Sequence, residues 1–199
     1  MKNAGLKAVI FGAVLNFTLA VIKLYIGISS NLLTIYCDAV NNLADNFSCV
    51  LAIGGFILVK KLGERQSERA QSLCTFVISA IVAVTGIYFV YNGLERFLYP
   101  TPVVYSIKYA VLIAVTVGVK IFMAVMYKAF NKHENSDVLR ALVTDSILDC
   151  FITVAALMSL FLVSKLNYAV DGVFAVVTGG IITVSAIRSL IKEAKFLVL

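Results

Sequence analysis

From Leu73 to Leu94 the chain runs for 22 residues without a charged side chain. Wound as a helix at about 1.5 Å per residue, that run covers the roughly 30 Å hydrocarbon core of a bilayer. Five more apolar segments accompany it, at about Leu6 to Ile28, Leu32 to Val59, Ile107 to Tyr127, Leu139 to Val163 and Gly172 to Ile187. Backbone polar groups must be satisfied internally in lipid, so only helices and closed barrels can cross. None of the segments alternates with period two, which excludes a barrel. The expected fold is an all-α integral membrane protein with six transmembrane helices, near 6–28, 32–59, 71–96, 106–128, 138–163 and 168–191.

Composition agrees. The 199 residues are 61% apolar and 14% charged, against about 45–50% and 25% in soluble domains. A soluble enzyme and a disordered chain are both excluded. Six spans and their loops use the whole length, so 1–199 reads as a single transmembrane domain with no C-terminal cytoplasmic domain. The longest connector is expected over Lys60 to Ala70, and Tyr99-Pro100-Thr101-Pro102 ends the third helix. Cys37, Cys49, Cys74 and Cys150 lie in apolar runs without a C-x-x-C spacing and read as small buried hydrophobes.

The net charge of +6 does not point to nucleic acid. With a cytoplasmic N-terminus, twelve lysines and arginines fall inside, three (Arg96, Lys108 and Lys165) fall outside, and Lys23 and Lys120 stay at membrane depth. This asymmetry places both termini in the cytoplasm. The expected location is the plasma or inner cell membrane, as a multi-pass protein.

The chemistry lies in the charges that remain in the membrane. Each mid-membrane aspartate costs about 2.5–3.5 kcal/mol on insertion scales, and four are present: Asp38, Asp45, Asp145 and Asp149. Asp38, Asn41, Asn42 and Asp45 follow i, i+3, i+4, i+7 and form one polar stripe on the second helix. Asp145 and Asp149 lie one turn apart on the fifth. Lipid would not tolerate either stripe, so helices 2 and 5 are expected to face each other. Asn41, Asp45, Asp145 and Asp149 then meet around a metal site.

Three carboxylates repel one another unless a cation or protons offset them. An all-oxygen set suits Mn²⁺, Mg²⁺ or Ca²⁺, and the single histidine, His133, is expected in a cytoplasmic loop. Asp38, Asn42 and Lys120 are supporting residues. Lys120 is expected to pair with Asp38, Lys23 to snorkel to the interface, and Asp171 to cap the sixth helix. Salt bridges alone do not account for the pattern, because one central lysine cannot neutralise four aspartates.

Faint internal echoes accompany the stripes. Ile22-Lys23-Leu24-Tyr25 resembles Val119-Lys120-Ile121-Phe122, and Asp45-Asn46-Phe47 resembles Asp149-Cys150-Phe151. Two three-helix halves would form an inverted repeat.

The run Asn16…Lys23…Gly27…Cys37-Asp38-Ala39-Val40-Asn41-Asn42-Leu43-Ala44-Asp45 resembles the first two helices of cation diffusion facilitators. Ala141-Leu142-Val143-Thr144-Asp145-Ser146-Ile147-Leu148-Asp149 is similar to their fifth, and Gly86…Leu94-Glu95-Arg96…Pro100 to the end of their third. The resemblance implies a divalent metal/proton antiporter, not an enzyme, that exports metal by alternating access and works as a homodimer. Asn41, Asp45, Asp145 and Asp149 would be the transport ligands. Asn41 and Asp145 at their motif positions resemble the manganese branch. Mn²⁺ is therefore the favoured substrate, with Zn²⁺, Fe²⁺ or Co²⁺ as alternatives, and no organic cofactor is implied. A non-transporting membrane scaffold and a proton-coupled carrier of organic cations are the competing readings.

Overall fold

A computed structural model describes residues 3–62, 64–134 and 137–198, with the side chains at 3–6, 48, 49, 51–67, 71, 133–138 and 141 outside the description. It holds six α-helices: α1 (Asn3–Ser30), α2 (Leu33–Leu62), α3 (Glu64–Leu98), α4 (Ile107–Glu134), α5 (Asp137–Lys165) and α6 (Ala169–Val198). There is no strand among the described residues. Over 7–30, 68–98, 107–132, 142–165 and 169–198 the helices are long and apolar enough to cross a membrane. α2 carries the polar stripe. The protein is a multi-pass helical membrane bundle.

Two sequence expectations about connectors change. The segment expected as the longest loop is largely helical, since α2 continues to Leu62 and α3 begins at Glu64. Its Lys, Arg, Glu and Gln residues are good helix formers. His133, expected in a loop, falls in the last turn of α4.

The turn from α1 to α2 is tight. Asn31 takes φ 57°, a left-handed conformation that asparagine tolerates. The Leu32 N–H then bonds the Gly27 carbonyl at 3.2 Å, closing the end of α1 in a Schellman motif. A Cβ on Gly27 would lie 3.0 Å from the Tyr36 backbone, so glycine lets the two helices approach here.

The hairpin is stitched to the α3–α4 connection: Val104 N–H bonds Ser30 O at 2.8 Å, and Asn31 Nδ2 bonds Pro102 O at 2.8 Å. This end of the bundle is called the loop end below; the opposite end holds both chain termini.

α3 and α6 pack antiparallel along most of their length. Ser72 Oγ donates to Glu193 (2.6 Å), and Ser79 pairs with Ser189 (2.9 Å). Further along, Gly86 abuts Gly179 and Gly93 abuts Gly172, so close that an added Cβ at Gly172 would sit 2.5 Å from the Gly93 carbonyl oxygen. Small residues allow such backbone contact between membrane helices.

The other four helices enclose a layered core. Ile26, Leu32, Ile35, Ile113, Ala156 and Leu160 form an apolar cluster at the loop end. Val9, Leu19, Met123, Tyr127 and Leu139 form another toward the termini. Buried between them lie Asn16, Lys23, Asp38, Asn42, Lys120, Asp149 and Thr153. Outward-facing apolar residues such as Phe17, Tyr25, Ile81, Tyr91, Val125 and Phe151 are exposed, as a lipid-facing surface requires. Cys37 is buried as expected, but Cys74 is exposed on α3.

Candidate metal centre

The stripe on α2 divides. At about 100° per residue Asn41 and Asn42 fall on opposite sides of Asp38, about 60° and 40° away, while Asp45 lies nearly in line with Asp38 but two turns further along. Asn41 and Asp45 face a cavity of about 60 Å³ that Asp145, Asp149, Leu148, Ile152, Ile181, Ile182 and Ser185 also line. This exceeds the roughly 10–15 Å³ that one water needs.

All four residues expected as ligands therefore border one space between α2, α5 and α6. Asn41 Nδ2 donates to Asp149 Oδ1 at 2.9 Å and reaches Asp45 Oδ2 at 3.4 Å. Asp149 is buried, Asn41 and Asp45 are half-buried, and Asp145 is exposed at the cavity edge. Among the described residues no three His, Cys, Asp or Glu side chains converge as a ready metal-binding group. In this conformation the four side chains share a cavity without closing into a coordination shell.

Asp38 and Asn42 do not line that cavity. The expected Lys120–Asp38 pair is not formed: Asp38 pairs with Lys23 (Nζ to Oδ2 2.8 Å), and both side chains are fully buried. The physical reason is hairpin register. Lys23 stands eight residues before Asn31 and Asp38 seven after it, so the turn brings them level. Lys23 therefore points inward and does not snorkel. Its Nζ also donates to Thr153 Oγ1 at 2.7 Å. Thr153 lies within reach of both Asp38 Oδ2 (2.8 Å) and the Asp149 carbonyl (2.7 Å). Asn42 is fully buried, and neither its side-chain atoms nor Asp38 Oδ1 has a hydrogen-bond partner among the described residues.

Lys120 instead pairs with Asp149. Its Nζ donates to Asp149 Oδ2 and, at 2.6 Å, to Asn16 Oδ1. Both residues sit near the middle of adjacent helices, whereas Asp38 lies about one turn nearer the loop end, level with Thr153. Sequence reasoning gave Asn16 and Thr153 no role at this site. A signal for each was present: Asn16 precedes Lys23 by seven residues, and Thr153 follows Asp149 by four, in each case on one helix face.

Asp171 is also corrected. It lies in the first turn of α6 but caps α2. Its carboxylate accepts from Leu33 N (2.7 Å) and Thr34 N (3.1 Å), the first residues of that helix. Thr34 Oγ1, Ser159 Oγ and Arg96 Nη1 add 2.6, 3.1 and 2.7 Å bonds. Arg96 Nη2 also holds Asn31 Oδ1 at 3.0 Å. α2, α3, α5 and α6 are thereby tied together at the loop end.

Toward the other end the site continues into a further space. A second cavity of about 120 Å³ shares Asn41, Asp45, Ile182 and Ser185 with the first. It lies between α2, α3 and α6, where Ala44, Ser79, Ala186 and Ser189 line it on the side of the termini.

No match is found among curated proteins. The family model for the cation efflux transmembrane domain matches residues 9–198. That match spans all six helices and the whole polar layer. Members of this family are transporters, not enzymes, and move divalent metal cations out of the cell. The chain belongs to the cation efflux family.

Proposed function

We propose that this protein exports a divalent cation in exchange for protons, with Mn²⁺ the favoured substrate, and that Asn41, Asp45, Asp145 and Asp149 bind it. The observation that carries this reading is the cavity between α2 and α5 that all four side chains line. Three carboxylates and the amide oxygen of Asn41 offer an all-oxygen ligand set, the kind that suits hard cations. The termini lie in the cytoplasm, the membrane is the plasma or inner cell membrane, and the working unit is a homodimer.

Metal enters past Ser189 and Ser185 from the terminal end. The Asp171–Arg96 cluster keeps the loop end closed. Cation binding needs ionised carboxylates, so metal and protons compete for the same oxygens. Rearrangement of α2 and α5 against α3 and α6 would expose the site to the other side, where protons displace the metal. Asn41 has no proton to exchange; it sets the charge of the site and holds Asp149 in place. The same site could carry Zn²⁺, Fe²⁺ or Co²⁺.

The test is transport in proteoliposomes under an imposed pH gradient, with Mn²⁺ and Zn²⁺ compared in the wild type and in Asp149→Ala. Gradient-dependent Mn²⁺ movement that the variant loses is the expected result. Movement of zinc alone overturns the manganese assignment and keeps the exchanger. A folded wild type that moves neither ion favours a scaffold whose aspartates make only structural pairs.

A further inference from the structure

Lys120 already occupies the carboxylate that the metal would need. Asp149 is 2% exposed, and both its oxygens are engaged: Oδ1 by Asn41 Nδ2 and Oδ2 by the Lys120 ammonium. Lys120 is itself 1% exposed, held on α4 by a flexible four-carbon stem. Asp38, the other buried aspartate of the layer, has its own partner in Lys23, so it makes no demand on Lys120. The Lys120 ammonium also bonds Asn16 Oδ1 on α1 at 2.6 Å, and Asn16 does not line the cavity.

We propose that Lys120 is a tethered counter-cation that holds the site when metal is absent and yields Asp149 Oδ2 to the incoming ion, withdrawing toward Asn16. The inference rests on the four-residue metal site proposed above. It adds a residue that sets both affinity and substrate charge. With the carboxylates ionised, Asp45, Asp145 and Asp149 contribute three negative charges and Lys120 one positive. The deficit is two, which one divalent ion fills and a monovalent ion does not. Low dielectric penalises any uncompensated charge, so the loaded site is neutral only with Lys120 present. As metal leaves, the ammonium returns to Asp149. It thereby opposes rebinding and helps release.

Lys120 is thus a positioning and specificity-determining residue, and its signature is a split between affinity and rate. The experiment uses the full chain in lipid nanodiscs with MnCl₂ as the probe. Free Mn²⁺ is read by electron paramagnetic resonance, and maximal transport rate is measured in proteoliposomes. Lys120→Met is expected to bind Mn²⁺ about tenfold or more tighter, the scale of one lost charged hydrogen bond, while its maximal rate falls. Lys120→Arg keeps the charge and should stay near the wild-type affinity. Affinity that is unchanged or weaker in a folded Lys120→Met protein overturns the proposal; a merely structural lysine would lower affinity and rate together.

If Lys120→Met does not fold, Asn16→Asp keeps the lysine and offers it a second carboxylate away from Asp149. It too should tighten Mn²⁺ binding, and no tightening overturns the proposal. Asp145→Asn in the wild-type background separates the two layers of inference. If it weakens Mn²⁺ binding while Lys120→Met changes nothing, only the role of Lys120 fails. If wild-type binding is absent or indifferent to Asp145→Asn, the metal site fails and this inference with it.

Discussion

The Asp171 carboxylate of α6 accepts both the backbone N–H of Thr34, at 3.1 Å, and its hydroxyl, at 2.6 Å. A residue in the first turn of one helix thus caps the start of another. Leu33 N, Ser159 and Arg96 converge on the same carboxylate. Asp171→Ala would leave these buried and half-buried donors without that acceptor. It is expected to destabilise the protein by about 3–5 kcal/mol, as loss of one member of a buried charged pair does. Thermal unfolding in detergent checks the size. Hydrogen exchange should rise first at Leu33 to Cys37; exchange that rises uniformly along the chain would argue against the capping role.

Lys23 and Asp38 form a closed, fully buried pair outside the cavity. Lys23→Met leaves Asp38 unpaired and should cost about 3–5 kcal/mol. The double variant Lys23→Met/Asp38→Leu removes both charges and should recover most of that loss, since a buried ion pair often exchanges neutrally for apolar residues. A double-mutant cycle on unfolding free energies measures the coupling. Additive losses would mean that the two side chains do not depend on each other.

The α3–α6 contact gives a contrast between glycines. A Cβ on Gly172 would lie 2.5 Å from the Gly93 carbonyl and 2.7 Å from Phe97 N, while Gly180 has nothing within 4 Å. Gly172→Ala should therefore cost about 1–3 kcal/mol by overpacking. Gly180→Ala should be neutral or stabilising by up to about 1 kcal/mol, from helix propensity alone. Equal melting temperatures for the two variants would refute the close packing of these helices.

Proton coupling has a definite sign. If metal and protons compete for Asp45, Asp145 and Asp149 as proposed, Mn²⁺ binding should strengthen as pH rises and weaken as it falls. Binding in a weakly buffered solution should release protons, and Asp145→Asn should release fewer. A pH-indicator dye read during Mn²⁺ addition makes the comparison. Release that is unchanged in the variant would remove Asp145 from the exchange.

The sequence by itself determined the class of protein, because the length of each apolar run and the cost of burying charge are local properties. The 22 uncharged residues from Leu73 to Leu94 require a membrane. The spacing of Asp145 and Asp149, or of Asn41 and Asp45, puts each pair on one helix face before any partner is known. Register around a two-residue turn could even have paired Lys23 with Asp38, since both are counted from Asn31.

For the remaining charges, tertiary structure alone decided which meets which. Lys120 pairs with Asp149 because α4 and α5 bring their midpoints level. Asp171 caps α2 because α6 starts beside it. The stripe on α2 splits because Lys23 of α1 engages Asp38 while Asn41 and Asp45 line the cavity. Periodicity fixes the face of a helix on which a side chain lies. It carries no information about the height and rotation at which the next helix docks, and those are set by packing at distant positions such as Gly172 against Gly93.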